Sequence, residues 1–337
     1  MDKCLICGQA GELLYHGLRD YIVASNASWS LRYCPRDRIA WISPVPSAQD
    51  LEKAYSSYHT HMAQAESLRL SKGILDSVLA GYFGYSDDRT TGPRRRMGRV
   101  LGLIPIIREI VGTKVLWLRP SDGPRLLDVG CGSGRYLAFM RSLGWTVQGI
   151  EPDEQAASCA RQNFGLPVKT GLIEESDFPD AAFDAVTVSH VIEHVSRPGT
   201  FLAACFRKLR PGGKLVITTP NFESLGHRVF RRHWSILEPP RHLHIFSPAS
   251  LGAYVEGAGF RAVRVFTASR GARVMWDMSR ALLNTGSPGE GPDKYRHPWH
   301  IGGILFYFFE QTINAALRSR GEEIILIACK PGPSPRP

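Results

Sequence analysis

Long apolar runs are missing from this sequence. Its most apolar stretch, Ile301 to Phe309, ends after nine residues at Glu310, whereas crossing a bilayer takes about 20, so a membrane-spanning helix is excluded. Cysteine is sparse: seven in 337 residues, at 4, 7, 34, 131, 159, 205 and 329, an odd number without the spacing of a disulfide framework. No apolar leader follows Met1, because Asp2 and Lys3 run straight into a Cys-x-x-Cys. Both absences predict a reducing, cytoplasmic setting. Acidic residues are also short, 31 against 41 Lys and Arg, for a net charge of +10. That balance favours anionic partners, whether phosphorylated substrates, nucleic acid or a membrane surface. Internal repeats and RNP-type or other nucleic-acid signatures are lacking, so nucleic-acid binding has only the bulk charge behind it.

What is present suffices for a large core, since 43% of the residues are hydrophobic. Residues 1–46 form a short Cys-containing opening, residues 47–121 a basic and helical stretch, and residues 122–337 an alternation of strand and helix patterns. In that last region Arg125–Val129, Thr146–Ile150, Val168–Lys169, Ala185–Ser189, Lys214–Thr218, Arg261–Thr267 and Glu323–Cys329 read as strands. Tyr136–Leu143, Glu154–Asn163, Phe201–Leu209 and Pro248–Gly257 read as helices, the last capped by Ser247 with Pro at its first position. This predicts an α/β fold, a doubly wound, seven-stranded, mainly parallel sheet with a small Cys-rich ribbon and helical attachments before it. Residues 270–321 form an insertion, with an apolar-basic run at 273–284 and the aromatic run at 301–309, placed to cover the active site or to contact a partner.

Asp128-Val129-Gly130-Cys131-Gly132-Ser133-Gly134 runs from a buried strand into a glycine-rich turn and then a helix, where missing side chains let backbone approach a ligand. A dinucleotide would want a third glycine where Arg135 stands; the shorter pattern fits a nucleoside ligand without pyrophosphate. Glu151 ends the next strand, 19 positions after Gly132, where a carboxylate can accept hydrogen bonds from both ribose hydroxyls.

These residues, with Phe183-Asp184, His190-Val191-Ile192-Glu193-His194, Leu209-Arg210-Pro211-Gly212-Gly213 and Thr219-Pro220-Asn221, resemble class I S-adenosylmethionine-dependent methyltransferases over roughly residues 122–269 plus the last strand. The likeness is nearest to the branch of ubiquinone-type O-methyltransferases and enzymes of polysaccharide and natural-product pathways. It implies that Asp128, Gly130, Cys131, Gly132 and Gly134 hold the methionine part of the cofactor and Glu151 its ribose. Leu172, Ile173 and Glu174 would then flank the adenine, although many relatives carry Asp at position 172.

Methyl transfer from a sulfonium asks the protein mainly to align the acceptor, exclude water and remove a proton. His190, Glu193 and His194 follow the fourth strand, in the crevice at the carboxyl ends, with His194 the candidate general base and Glu193 its orienting partner. If helical, the segment puts His190 and His194 on one face. Quinone O-methyltransferases resemble this chain in using acidic and His residues here for a divalent ion, but their first acidic position is His190, which leaves metal dependence open. HxxEH also matches a zinc-peptidase pattern, in the wrong structural context. Capping a helix end is the plainer role for Glu193 and His194. In the long connection after the fifth strand, Arg231, Trp234, Arg241, His242 and His244 are expected to line the acceptor pocket: Arg forks suit phosphate or carboxylate and Trp stacks on rings.

Cys4-x-x-Cys7 and Cys34-x-x-Asp37 resemble a small zinc ribbon with Asp37 as fourth ligand, like the N-terminal ribbons of sugar C-methyltransferases, and structural zinc is expected there; His16 is another candidate. From Arg94 to Arg119, seven basic residues and one acidic interleave with aliphatic ones. With the aromatic run 301–309, this segment suits peripheral contact with an anionic membrane and access to a hydrophobic or lipid-linked acceptor. The expected activity is S-adenosylmethionine-dependent methyl transfer to a hydroxyl of a small quinone-like, phenolic or saccharide acceptor. C-methylation of a keto-sugar and, in other classes, a nucleic-acid-binding module or a non-catalytic scaffold are the alternatives.

Overall fold

A computed structural model describes residues 3–23, 27–56, 70–85, 92–286 and 301–332. The chain opens with β1 (Glu12–Leu18), β2 (Trp29–Cys34) and β3 (Ile39–Ser43). Four helices follow: α1 (Ala48–Ser56), α2 (Lys72–Val78), α3 (Gly92–Leu101) and α4 (Pro105–Lys114). Then come β4 (Arg125–Val129), α5 (Arg135–Ser142), β5 (Thr146–Glu151), α6 (Glu154–Phe164), β6 (Val168–Thr170), β7 (Phe183–Ser189), α7 (Pro198–Lys208) and β8 (Leu209–Pro220). The remainder is α8 (Leu225–Phe230), β9 (His244–Ile245), α9 (Pro248–Gly257), β10 (Arg261–Ala268), α10 (Ala272–Thr285), α11 (Ile301–Leu317) and β11 (Glu323–Cys329).

The large sheet has the order β10-β11-β8-β7-β4-β5-β6. Pairs β4–β5, β5–β6, β4–β7 and β7–β8 are parallel, and β11 runs antiparallel to β8 and β10. It is the seven-stranded, mainly parallel sheet that the alternation predicts. Leu126, Leu127, Ala185, Val186, Val188, Leu215, Val216 and Ile217 are fully or almost fully buried, because helices cover both faces of such a sheet. Local signals fix the connections. Asp153 caps α6 by accepting the Gln155 and Ala156 N–H groups, and Gly165 ends it at φ 57°. Ser247 and Ser250 form a reciprocal capping box at α9. At the strand ends away from the site, Asp184 accepts the Arg125 N–H and the guanidinium groups of Arg125 and Arg210. Burial pushes its carboxyl up, and these partners outweigh it and hold it below the usual carboxylate range.

Strand order reverses between β4 and β7, and in doubly wound folds the ligand crevice lies at the carboxyl ends beside that reversal. Both the Gly130–Gly134 turn and the 190–194 segment leave the sheet there. A second sheet, β1-β2-β3-β9, is antiparallel where pairs are registered. Its fourth strand comes from the connection after β8, with Trp41 opposite His244 and Ala40 opposite Ile245, so the N-terminal ribbon is stitched into the main unit. Among the described residues no helix is long and apolar enough to cross a membrane.

Candidate functional site

At the end of β4 the backbone passes through Gly130 (φ 74°), Gly132 (φ 52°) and Gly134 (φ 79°), left-handed values that favour glycine. A side chain at Gly130 would collide with Val191, and one at Gly134 with Ala160 and Leu166. At Gly132 nothing lies within 4 Å of where a Cβ would stand, which leaves bare backbone facing open space. Glu151 reaches across from the end of β5: its Oε2 accepts the Gly132 N–H at 2.8 Å and its Oε1 the Asp153 N–H at 3.1 Å. Asp128 lies beneath, its Oδ1 accepting the Thr187 hydroxyl at 2.6 Å. Burial, with the nearby Glu151 charge, pushes the Asp128 carboxyl up to about 7. Two carboxylates flanking a positive-φ glycine turn suit a cationic nucleoside ligand.

After β6, Leu172 stands half exposed before a 3-10 turn, Ile173 is turned into the core and Glu174 is partly exposed. Of the three residues expected beside the adenine, Ile173 therefore has no free side-chain face.

The 190–194 segment is not an α-helix. His190 has φ 54° and only 192–194 form a single 3-10 turn, so the two histidines diverge instead of sharing a face. His190 Nε2 lies 2.7 Å from Glu323 Oε1, and its Nδ1 3.3 Å from Glu193 Oε1. Burial pushes this imidazole down, but the two carboxylates outweigh it and raise it to about 10. Glu193 is fully buried; its Oε2 accepts the Thr219 hydroxyl at 2.9 Å, while Oε1 faces His190 Nδ1 in the 3.3 Å ion pair. Burial raises the Glu193 carboxyl, and the neighbouring imidazoles outweigh that and hold it at about 2.

His194 donates from Nδ1 to the Arg241 carbonyl at 3.1 Å, with the Tyr55 hydroxyl 3.0 Å from the same nitrogen. Burial and the His242 ring beside it push His194 down to about 4. A general base works best with a pKa near the operating pH; the surroundings of His194 do not support that expected role. One ligand atom each of Glu193, His194 and His242 lies within 4.8 Å of the others. A carboxylate and two imidazoles are a donor set of a kind that binds divalent ions, although here the Glu193 Oε1 already faces the His190 Nδ1 at 3.3 Å.

The set expected to line an acceptor pocket is dispersed. Arg241 is 1% exposed and its fork is already used, on the Asp20 carboxylate and the Ala54 carbonyl, because a buried guanidinium needs a paired charge. Trp234 is buried and donates from Nε1 to Glu322 Oε2. His244 sits on β9, buried, with neither ring nitrogen hydrogen-bonded; burial pushes it down to about 4. Arg231 is exposed in a 3-10 turn. Only His242 joins the 190–194 segment. Thr219, from the Thr219-Pro220-Asn221 motif, completes one of these networks; Tyr55, Glu323 and Asp20, which complete the others, carry no local sequence signal, since each meets its partner far along the chain.

In the ribbon, Cys4 and Cys34 both point their sulfurs at Asp37 Oδ2, at 3.1 and 3.3 Å, and the Cys7 and Cys34 sulfurs are 3.8 Å apart. The N–H groups of Ile6 and Asp37 donate to the Cys4 and Cys34 sulfurs. Burial is the main reason the Cys4 thiol is pushed up to about 12. His16 lies outside this group.

A methyltransferase-domain profile matches residues 107–265. The ubiquinone biosynthesis O-methyltransferase of Thiobacillus denitrificans is 32% identical over 168 residues, 45% of this chain and 72% of that protein. The chain belongs to the class I S-adenosylmethionine-dependent methyltransferases. The mitochondrial ubiquinone biosynthesis O-methyltransferase of Bos taurus is 37% identical to this methyltransferase over 223 residues, 60% of each chain. Against several others of that name the chain spans only 32% to 54% of their length. A solved S-adenosylmethionine-dependent methyltransferase of Archaeoglobus fulgidus shares 22% identity, with a TM-score of 0.42 over 61% of this chain and 86% of that one.

Proposed function

We propose that this methyltransferase moves the methyl group of S-adenosylmethionine to a hydroxyl oxygen of a small quinone-like, phenolic or saccharide acceptor. The observation that carries the reading is the bare Gly132 backbone flanked by Glu151 and Asp128, with the His190–His194 segment across the same crevice. In this reading Glu151 binds the ribose, and the backbone at 130–134 with Asp128 holds the methionine part. Leu172 and Glu174 lie beside the adenine. The acceptor oxygen attacks the methyl carbon, a C–O bond forms as the C–S bond breaks, and the hydroxyl proton leaves to the solvent or a neighbouring base. His190, held as an imidazolium and partly exposed, is placed to offset negative charge on that oxygen.

The relatives' printed activity favours oxygen over carbon as acceptor. Incubation with methyl-labelled cofactor and three acceptors, a prenylated catechol, a simple phenol and a nucleotide keto-sugar, should give an O-methylated product from one of the first two, read by mass spectrometry with fragmentation. Label on carbon of the keto-sugar would replace this reading with sugar C-methylation. A folded protein that turns over none and binds no cofactor would point to a scaffold.

Structural zinc in the Cys4, Cys7, Cys34, Asp37 cluster and peripheral membrane contact complete the proposal. The outward face of α11 carries Ile301, Leu305, Phe308 and Phe309, and the helix has one charged residue, Glu310, which is fully buried. Exposed arginines on α3 and the net charge of +10 supply attraction to anionic lipid. The protein should pellet with vesicles containing phosphatidylglycerol at low salt and not with neutral ones. Leu305→Ser with Phe309→Ser should reduce pelleting at least fivefold; unchanged pelleting would remove α11 from the membrane.

A further inference from the structure

Three arginines and one glutamate meet where the ribbon touches the carboxyl end of the main sheet. Strands β8 and β11 pair there through Pro220 and Glu323, and Glu323 is the carboxylate 2.7 Å from His190. Just beyond that pair stand Glu223, after β8, and Arg320, before β11. Buried Asn221 straps the two segments together: its Nδ2 donates to the Ser319 and Gly321 carbonyls at 3.0 and 2.7 Å, and its Oδ1 accepts the Glu223 N–H at 2.9 Å. The Leu225 N–H donates to the Arg320 carbonyl at 3.0 Å. Arg38 arrives from the ribbon, directly after Asp37, on a turn closed by its N–H on the Cys34 carbonyl at 2.7 Å. Its φ of 57° lies in the left-handed region that favours glycine, and its guanidinium donates to both oxygens of Glu223. Arg320 donates from Nη1 to the Glu223 carbonyl at 3.2 Å and lies 3.9 Å from Glu223 Oε2. Arg228 is exposed on α8. Burial, then the like charges of Arg228 and Arg38, hold Arg320 below its usual range, with Glu223 opposing. One carboxylate does not offset three guanidinium groups, so the cluster keeps a positive charge.

We infer that Arg38, Arg228 and Arg320 form a phosphate-binding subsite, and that the preferred methyl acceptor carries a phosphate or diphosphate that docks there while its hydroxyl reaches the crevice beside His190. Guanidinium forks match phosphate oxygens as they match a carboxylate. Glu223 and the Asn221 strap gather forks from three separate segments toward one point, and the ribbon takes part in recognition because it delivers Arg38. A catechol or phenol without phosphate is then a partial substrate. That the phosphate belongs to the acceptor rests on the methyl-transfer reading, but its binding does not.

The test is calorimetric titration of full-length protein with pyrophosphate, uridine diphosphate and farnesyl diphosphate, with uridine and farnesol as controls. One equivalent of each diphosphate should bind, and neither control. Arg38→Gln and Arg320→Gln should each weaken pyrophosphate at least tenfold. Glu223→Gln, which removes the competing charge and keeps an oxygen for Arg38, should tighten it. Arg95→Gln with Arg96→Gln removes two exposed charges from α3 and should leave it within twofold, which separates a site from bulk charge. Uridine diphosphate binding tighter than pyrophosphate would assign a nucleotide-linked acceptor, and farnesyl diphosphate binding tighter a lipid-linked one. In turnover, Arg320→Gln should cost a diphosphate-linked saccharide at least tenfold through KM, with kcat nearly unchanged, because the contact is the same before and during transfer; it should leave a phenol unaffected. No binding to folded wild-type protein, unchanged affinity in Arg38→Gln and Arg320→Gln, an equal loss in the α3 variant, weaker binding in Glu223→Gln, or turnover of phosphate-free acceptors alone would each overturn the assignment. Circular dichroism and S-adenosylmethionine binding on the same samples separate misfolding, and failure of the cofactor reading, from failure of the subsite.

Discussion

Glu151→Ala weakens S-adenosylmethionine and S-adenosylhomocysteine binding at least tenfold in calorimetric titration, about 1.4 kcal/mol or more. Two effects add. The ribose loses a carboxylate that can accept from both hydroxyls, and the glycine turn loses the bond that holds the Gly132 N–H at 2.8 Å. An orphaned, partly buried N–H costs about 1–3 kcal/mol, so the free turn becomes less preorganised as well. Glu151→Gln separates the two: its amide oxygen can still receive Gly132, so it should keep more affinity than Ala while losing the charge. Gly132→Ala leaves the carboxylate in place but puts a methyl into the space where the ligand is read to lie, at φ 52°. It should also lose at least tenfold. Wild-type affinity in Glu151→Ala would mean that the cofactor lies elsewhere, and the shared crevice with His190 and Glu193 would lose its function.

Glu151 is legible in the sequence because its relation to the glycine turn is carried by one strand-turn-helix-strand unit, where spacing and topology are nearly the same statement. The sheet order follows for the same reason: each buried strand is bounded by its own turn or cap. His242 was legible only as one member of a basic loop. Its neighbours Glu193 and His194 are brought to it by a backbone clip and by Arg241, whose partner Asp20 is 221 residues away. Polarity alone misassigns Arg241 and Trp234, since both look like surface ligand binders and are instead buried against Asp20 and Glu322. Strand β9, two residues long, has no periodicity to read, and the ribbon's attachment to the main sheet's connection depends on it. His190 shows how a single backbone angle decides chemistry: an α-helical φ would have stacked it over His194, and φ 54° sends it to Glu323.

The ribbon carries the second large effect. Wild-type protein purified without chelator should contain about one zinc in the cysteine cluster, and Cys34→Ser or Cys4→Ser should lose it. The four candidate donors already converge, with both Cys4 and Cys34 sulfurs within 3.3 Å of one Asp37 oxygen and two backbone N–H groups aimed at the sulfurs, as expected where thiolate charge is to be stabilised. Zinc would replace the protons that now sit between sulfur and carboxylate. Because a structural zinc couples to folding by several kcal/mol or more, its loss should unravel β1–β3 and expose Trp41, which is 2% exposed and belongs to the same cluster as Cys4 and Cys34. Limited proteolysis should then cleave within residues 3–43 while the seven-stranded unit, whose core is built from β4, β7 and β8, resists. Asp37→Cys should hold zinc at least as tightly as wild type, a gain that a metal-free ribbon would not show. If wild-type and Cys34→Ser proteins both lack zinc and melt together, the ribbon is held by its apolar contacts and the β3–β9 pairing alone.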